Sequence, residues 1–92
     1  MKAAIWNFSE WINETDSVLL KEKFNKMLLD SGFEIVNFME HYFDPIGYTA
    51  IWLIAESHFA IHTFPEHNKA YIDLSSCSEE KQNKFIKLFN DK

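Results

Sequence analysis

The chain has 92 residues, of which 47 % are apolar and 16 % aromatic, so it is far too apolar to be a disordered polypeptide. A chain of this length normally forms one domain around one core, and we expect residues 1–92 to be a single domain. Nine lysines, no arginine and fourteen acidic residues give a net charge of −5. This charge argues against nucleic acid as a partner, because nucleic-acid-binding proteins usually carry a basic patch and use arginine to contact bases.

Cysteine content and hydropathy bear on the cellular compartment. Cys77 is the only cysteine, which excludes an intramolecular disulfide and an all-cysteine zinc site. The longest apolar run, residues 48–55, is far shorter than the roughly 20 residues of a membrane-spanning helix. The N-terminal residues show neither a sustained apolar segment nor a cleavage-site pattern. We therefore expect a cytoplasmic protein with a free thiol and no membrane partner.

The first part of the chain predicts a strand and a helix. Residues 3–8 form a short apolar run that is typical of a strand. Apolar side chains at helical spacing predict a helix over residues 17–31, with Gly32 positioned to end it. Three residues at the start of this helix are competent to cap its N-terminus, namely Thr15, Asp16 and Ser17.

The rest of the chain predicts four strands and a second helix. The strands are expected at residues 34–42, 48–55, 58–64 and 69–75. The first and last of the three connections contain proline, and the middle one is Glu56-Ser57. The run 48–55 is continuously apolar, which is typical of a strand buried on both faces. Ser76 or Ser78 can cap the last helix, whose buried stripe would be Phe85, Ile86 and Phe89. The order β-α-β-β-β-β-α indicates an α+β fold, a two-layer sandwich of an antiparallel sheet with helices on one face.

Reactive side chains are densest in residues 56–62. The two-residue period of a strand places His58 and His62 on one face, and we expect neighbouring antiparallel strands to bring Ser57, His62 and Cys77 together. Each also has a plain structural interpretation. Ser57 could be a turn hydroxyl, His62 a hydrogen-bonded ring and Cys77 a small buried apolar side chain.

Two other kinds of site fit these residues less well. His58 and His62, four residues apart on a strand, would be separated by about 13 Å, whereas metal–ligand bonds are near 2 Å, so we expect no metal site. A Ser-His-acid hydrolase is conceivable, but no Gly-x-Ser-x-Gly motif surrounds Ser57.

The sequence AESHFAIHTFPE of residues 55–66, followed by AYID at 70–73 and by Cys77, resembles the core of the prokaryotic S-adenosylmethionine decarboxylases, which are pyruvoyl-dependent enzymes. The segment HYFDPIG of residues 41–47 also resembles the family's stretch before the active serine. The similarity extends over roughly residues 32–77, with serine, histidine and cysteine at the family's spacing. The chain stops at Lys92, before the further strand that members usually carry, and is identified as a short, C-terminally truncated member.

The resemblance implies that the chain cuts itself between Glu56 and Ser57 and that Ser57 becomes a pyruvoyl cofactor. In the family this group forms a Schiff base with the amine of the substrate and draws electrons from the bond to the carboxylate. His62 matches the histidine that assists processing, and Cys77 matches the general acid that returns a proton to the substrate. The role of His58 stays open.

The resemblance also implies a substrate and an assembly. The substrate would be S-adenosylmethionine, decarboxylated for spermidine synthesis, with Phe43 and Phe64 stacking on the adenine and Glu66 accepting from the ribose. Alternatively, the two phenylalanines pack in the core and Glu66 lies in a solvated turn. Family sites form across a dimer interface, so the partner would be a second copy in a homodimer of processed protomers.

The sequence departs from the family pattern at several positions, and these departures keep other functions open. The glycine that commonly follows the cysteine is Ser78 here, and the usual Tyr-Gly after Pro-Glu is His67-Asn68. Some relatives decarboxylate ornithine or arginine, and a decarboxylase of this kind is one alternative. A non-catalytic regulatory homologue is another.

Overall fold

A computed structural model describes residues 3–91 as an antiparallel sheet covered by two helices. The elements are β1 (Trp6–Ile12), α1 (Ser17–Asp30), β2 (Glu34–Tyr42), β3 (Tyr48–Ala55), β4 (Ser57–Phe64), a 3-10 turn (Pro65–His67), β5 (Lys69–Ser76) and α2 (Glu79–Asn90). The strand order across the sheet is β1-β5-β4-β3-β2. The predicted α+β two-layer sandwich, with both helices on one face, is confirmed.

The first strand lies three residues later than its apolar run suggests. It pairs with β5 from Trp6 opposite Ser76 to Ile12 opposite Ala70. Its middle is polar because Asn7 and Ser9 face away from the helices, and the Ser9 hydroxyl donates to Asp73 on β5 at 2.7 Å. Composition alone favoured residues 3–8, whereas cross-strand pairing decides the position.

Helix α1 begins and ends as its sequence predicts. The Asp16 carboxylate accepts from the N–H groups of Val18 (2.9 Å) and Leu19 (3.1 Å), so it caps the N-terminus. Gly32 has φ +96°, a conformation that favours glycine and turns the chain towards β2.

Helix α2 packs through a stripe that differs slightly from the prediction. Ser78, one of the two predicted caps, accepts from the Lys81 N–H at 3.2 Å. Phe85 is fully buried, and Phe89 packs against the core as predicted. Gln82 and Leu88, rather than Ile86, complete the buried side of the helix. Neither helix within residues 3–91 is long and apolar enough to cross a membrane.

An aromatic cluster forms the centre of the core. The Phe59 ring on β4 lies 5.2 Å from Phe24 of α1, 5.4 Å from Phe85 of α2 and 5.5 Å from Trp52 of β3, measured between ring centroids. The Trp52 indole N–H donates to Asn25 at 3.0 Å, so its one polar atom is satisfied. One side chain from the sheet therefore connects both helices.

A polar cluster ties α1 to β2 and β3. Glu40 accepts from the Tyr48 hydroxyl at 2.6 Å and pairs with the Lys21 ammonium at 3.1 Å. These two contacts, the Tyr48 hydroxyl first, hold the pKa of Glu40 below its usual value. Burial, reinforced by the bond to Glu40, raises the pKa of Tyr48. The phenol thus remains a donor throughout the neutral range.

The sheet has two different faces, which we call the helix face and the open face. The helix face includes Trp52 and Phe59 and contacts α1 and α2. The open face has no described helix over it, and its exposed side chains include Ile51 (36 % exposed) and Leu53 (49 %) on β3. The prediction that β3 is buried on both faces is therefore wrong for a single chain, because its apolar side chains alternate between the core and this exposed surface.

The central position of Phe59 leads to a test of the core. We expect Phe59→Ala to lower the free energy of unfolding by about 3–5 kcal/mol, because it leaves a cavity between both helices and the sheet. The matched control is Leu29→Ala on the outer side of α1, where the side chain is 53 % exposed and we expect a loss below about 1 kcal/mol. Urea unfolding of both variants measures the difference, and equal losses would contradict this description of the core.

Candidate active site

The connection between β3 and β4 holds Ser57 in an unusual conformation. β3 ends at Ala55 and β4 begins at Ser57, so Glu56 alone separates the two strands. The Ser57 φ angle is +149°, in the region that L-residues rarely occupy. Its side chain is only partly buried. The Glu56–Ser57 peptide is therefore held in strained backbone.

Cys77 lies beside this connection because of the pairing between β4 and β5. Ser57 is opposite Ser76, and the next residue is Cys77. The Cys77 N–H donates to the Glu56 carbonyl oxygen in a long hydrogen bond of 3.4 Å. A donor on that oxygen stabilises the negative charge that would develop there if a nucleophile attacked the carbonyl carbon. The Cys77 thiol is exposed, so it is not the small buried side chain of the alternative interpretation.

His62 does not reach this connection within one chain. It lies five residues further along β4, about 16 Å from Ser57 at the usual strand rise. Within one chain the structure therefore brings Ser57 and Cys77 together and leaves His62 apart from them. The histidine instead bonds through Nδ1 to the Thr49 hydroxyl at 3.1 Å. Sequence reasoning missed Thr49, whose role follows from its position opposite His62 in the β3–β4 register.

The three predicted substrate-binding residues lie at the His62 end of the sheet. Phe43 is 50 % exposed and Phe64 is 39 % exposed, so neither belongs to the core. Phe43 follows β2, and its N–H donates to the Gly47 carbonyl at 2.9 Å. Glu66 is exposed in the 3-10 turn after β4.

Gly47 lies between the two phenylalanines and has no side chain to separate them. Continuing the β2–β3 and β3–β4 registers past their last paired residues places Gly47 between Phe43 and Phe64. The strands that carry the two rings are separated by two strand spacings, or about 10 Å. Two rings that hold a third planar ring between them are about 7 Å apart. A Cβ at Gly47, where φ is +119°, would lie 3.5 Å from the Phe43 Cβ and 3.7 Å from its ring Cδ2, so the Phe43 side chain covers Gly47 from the β2 side. We call the space between the Phe43 and Phe64 rings the ring slot.

The remaining histidine on β4 lies on the open face. His58 is opposite Leu53 on β3 and Ser75 on β5, and it is exposed. Within residues 3–91, no three His, Cys, Asp or Glu side chains are close enough to hold a metal ion.

The candidate residues thus form two groups at opposite ends of the sheet. The cleavage-end group comprises Glu56, Ser57 and Cys77, and the slot-end group comprises Phe43, Thr49, His62, Phe64 and Glu66. The first contains a hydroxyl next to a polarised carbonyl, which suits attack on the backbone. The second contains aromatic rings, an imidazole and a carboxylate, which suit a cationic ligand with a planar ring system.

The strain at Ser57 leads to a test that is independent of any activity. Glycine adopts φ +149° at little cost, whereas alanine there carries strain of about 1–3 kcal/mol. The lower conformational entropy of an unfolded alanine offsets about 0.4–1 kcal/mol of that strain. We expect Ser57→Gly to be more stable than Ser57→Ala by about 1 kcal/mol in urea unfolding. A more stable alanine variant would show that the connection is unstrained.

Comparison with known proteins finds relatives over most of the chain. The profile of the S-adenosylmethionine decarboxylase family matches residues 4–92. A protein of Geobacillus sp. (strain WCH70) named S-adenosylmethionine decarboxylase proenzyme is 42 % identical over 62 residues, which is 67 % of this chain and 50 % of that protein. A protein of the same name from Oceanobacillus iheyensis is 33 % identical over 79 residues, 85 % of this chain and 61 % of the relative. The chain thus spans about half the length of the curated relatives it matches.

A solved structure supports the fold separately. The crystal structure of the adenosylmethionine decarboxylase from Aquifex aeolicus superimposes with a TM-score of 0.76, covering 95 % of this chain and 78 % of that one at 22 % identity. Taken with the profile match over nearly the whole chain, the conclusion is that this chain belongs to the S-adenosylmethionine decarboxylase family.

Proposed function

We propose that the chain is the proenzyme of a pyruvoyl-dependent S-adenosylmethionine decarboxylase that cuts itself between Glu56 and Ser57. The observation that carries this proposal is the Cys77 N–H on the Glu56 carbonyl oxygen, next to a serine at φ +149°. The strain favours breaking the Glu56–Ser57 peptide bond, and the donor favours attack on its carbonyl carbon. Family membership adds that proteins with this sequence pattern are named proenzymes.

The cleavage uses atoms of the chain and one water molecule. The Ser57 oxygen bonds to the Glu56 carbonyl carbon, the bond from that carbon to the Ser57 nitrogen breaks, and the hydroxyl proton passes to that nitrogen. The peptide thereby becomes an ester with a free amine on residue 57. A base removes the Ser57 α-proton, the Cβ–O bond breaks, and Glu56 leaves as a carboxylate. The enamine left on residue 57 becomes an imine, which takes up water and releases ammonia. Residue 57 is then a pyruvoyl group.

The cleavage-end group suits the reaction that follows. The pyruvoyl group supplies a carbonyl that withdraws electrons from the substrate as carbon dioxide leaves. The Cys77 thiol is exposed at the same end of the sheet and returns a proton to the substrate carbon. A cut between Glu56 and Ser57 leaves this thiol on the same fragment as residue 57.

The slot-end group suits the rest of the substrate. S-adenosylmethionine carries a purine, a ribose and a sulfonium cation. The ring slot accepts the purine between Phe43 and Phe64, aromatic faces attract the sulfonium, and the Glu66 carboxylate accepts from the ribose hydroxyls. The chain lacks arginine, and this mode of binding requires none.

A second copy of the chain would complete the site. The two groups lie about 16 Å apart along β4, too far for one chain to combine them around a single reacting carbon. The open face also exposes Met39 (66 %), Leu53 (49 %) and Ile51 (36 %), an apolar surface that a second open face would cover. A twofold axis across the strands brings the cleavage-end group of one copy to the slot-end group of the other. His62 of that second copy is then the base that assists cleavage.

The mass of the purified protein tests the cut itself. The purified protein should separate into fragments 1–56 and 57–92 in intact-mass measurements, with the second fragment resistant to Edman degradation. Ser57→Ala should remain whole, because it has no hydroxyl to attack the carbonyl. A wild-type chain that stays whole after prolonged incubation would favour the non-catalytic regulatory alternative, and cleavage of Ser57→Ala would exclude Ser57 as the nucleophile.

The same protein decides between substrates. We expect release of carbon dioxide from S-adenosylmethionine and not from ornithine or arginine, because only S-adenosylmethionine has a planar ring system that can bind in the ring slot. The relatives described above give no support to the other two substrates. Release from ornithine or arginine alone would overturn this part of the proposal.

Co-expression of two inactive variants tests whether the site is shared between two copies. His62→Ala and Cys77→Ala should each lack decarboxylase activity, whereas their co-expression should restore about a quarter of it, since half of the dimers are mixed and each has one complete site. The His62→Ala chain, whole when alone, should be cut in the mixed dimer.

The matched control combines two defects from the same end. Ser57→Ala co-expressed with Cys77→Ala leaves no complete site in any dimer, so activity should not return. Recovery in this control, or its absence in the first pair, would contradict a site shared between two copies.

A further inference from the structure

Trp11 is an exposed aromatic residue that contacts Phe64, one of the two rings of the ring slot. It lies on β1 opposite Tyr71 of β5, on the open face. Its side chain is 56 % exposed, although a tryptophan normally buries most of its surface. The indole centroid lies 5.0 Å from the Tyr71 ring and 5.7 Å from the Phe64 ring.

These contacts place Trp11 behind Phe64. Gly47 and the ring slot lie on the β3 side of Phe64, whereas Trp11 lies on the opposite side, across β5. A separation of 5.7 Å between tilted rings is direct contact and leaves no space for a ligand ring between them. Trp11 therefore does not form a second slot with Phe64.

Phe64 borders open space, so its ring needs a neighbouring contact to fix its position. A surface cavity of about 690 Å³ is lined by Trp11, Phe64, His67 and Lys69. Phe64 is 39 % exposed at the end of its strand, so without the indole its ring is free to turn into this space and away from the slot.

We propose that Trp11 is a positioning residue for substrate binding, which holds the Phe64 ring as the wall of the ring slot. The ligand class is a purine nucleoside bearing a cationic sulfur substituent. This inference rests on the proposed function, since it assigns a role at the same site. Trp11 touches Phe64 and acts through it.

The test compares steady-state kinetics of the cleaved enzyme. Trp11→Ala should raise KM for S-adenosylmethionine about three- to tenfold, the range that corresponds to loss of one aromatic contact. The value of kcat and the cleaved fraction should stay unchanged, because the rings that Trp11 contacts, Phe64 and Tyr71, belong to no group that reacts. Trp11→Phe should restore most of the affinity. The control is Val36→Ala on edge strand β2, which is also 56 % exposed and should leave KM unchanged.

A double variant separates positioning from general destabilisation. In a Phe64→Ala background, Trp11→Ala should change KM by less than about twofold, because the ring it positions is already absent. Dissociation constants for 5′-methylthioadenosine, measured on each variant with Ser57→Ala to keep the chain whole, should follow the same pattern. If Trp11→Ala does not fold, Trp11→Leu replaces it.

The outcomes distinguish this inference from the proposed function. An active wild type with unchanged KM in Trp11→Ala overturns the role of Trp11 alone, as does a Trp11 effect that persists in full without Phe64. A wild type that binds the nucleoside but is never cut overturns the proposed function, and the nucleoside affinities then decide on Trp11. A wild type that neither binds nor is cut overturns both.

Discussion

The register of the β3–β4 hairpin determines the arrangement of the candidate site. With Ile54 opposite Ser57, only Ala55 and Glu56 remain to reverse the chain, and Ser57 follows this tight turn at φ +149°. The same register places Thr49 opposite His62 at the far end of the hairpin, where they are hydrogen-bonded. Shifting the pairing by one residue would turn every side chain of β4 to the other face, removing His62 from the open face and Phe59 from the core.

The topology also explains how a chain cut between Glu56 and Ser57 would stay folded. The fragment 57–92 contains β4 and β5, which lie between β1 and β3 of the fragment 1–56. Each fragment also contributes a helix to the core, where Phe24 and Phe85 meet Phe59. Separating the fragments would break two strand pairings and the aromatic cluster, so noncovalent contacts alone hold the pieces together.

The order of elements and most of their bounds were predictable from the sequence, because apolar period, caps and turn residues are local signals. Asp16 and Gly32 bound α1 as expected, and β2 matches its predicted range. The position of β1 and the exposure of Ile51 and Leu53 were not predictable, because they depend on pairing partners and on which face the helices cover. At the candidate site, the sequence indicated the residue types, and the strand rise that separates His58 from His62 also separates Ser57 from His62. The hydrogen bond from Cys77 to the Glu56 carbonyl was not predictable, because it depends on the β4–β5 register.

The two separated groups make mechanistic sense when Cys77 is considered before and after the proposed cleavage. In the uncleaved chain its backbone N–H contacts the carbonyl oxygen that the serine would attack, and the thiol is not needed. After the proposed cleavage that carbonyl would be a carboxylate of the other fragment, and the exposed thiol would lie one residue beyond Ser76, the partner of residue 57. The slot-end residues have no part in the strain at Ser57, so they can lie at the opposite end of the sheet. In the proposed dimer a second open face would supply them, and this pairing would cover the apolar side chains that one copy leaves exposed.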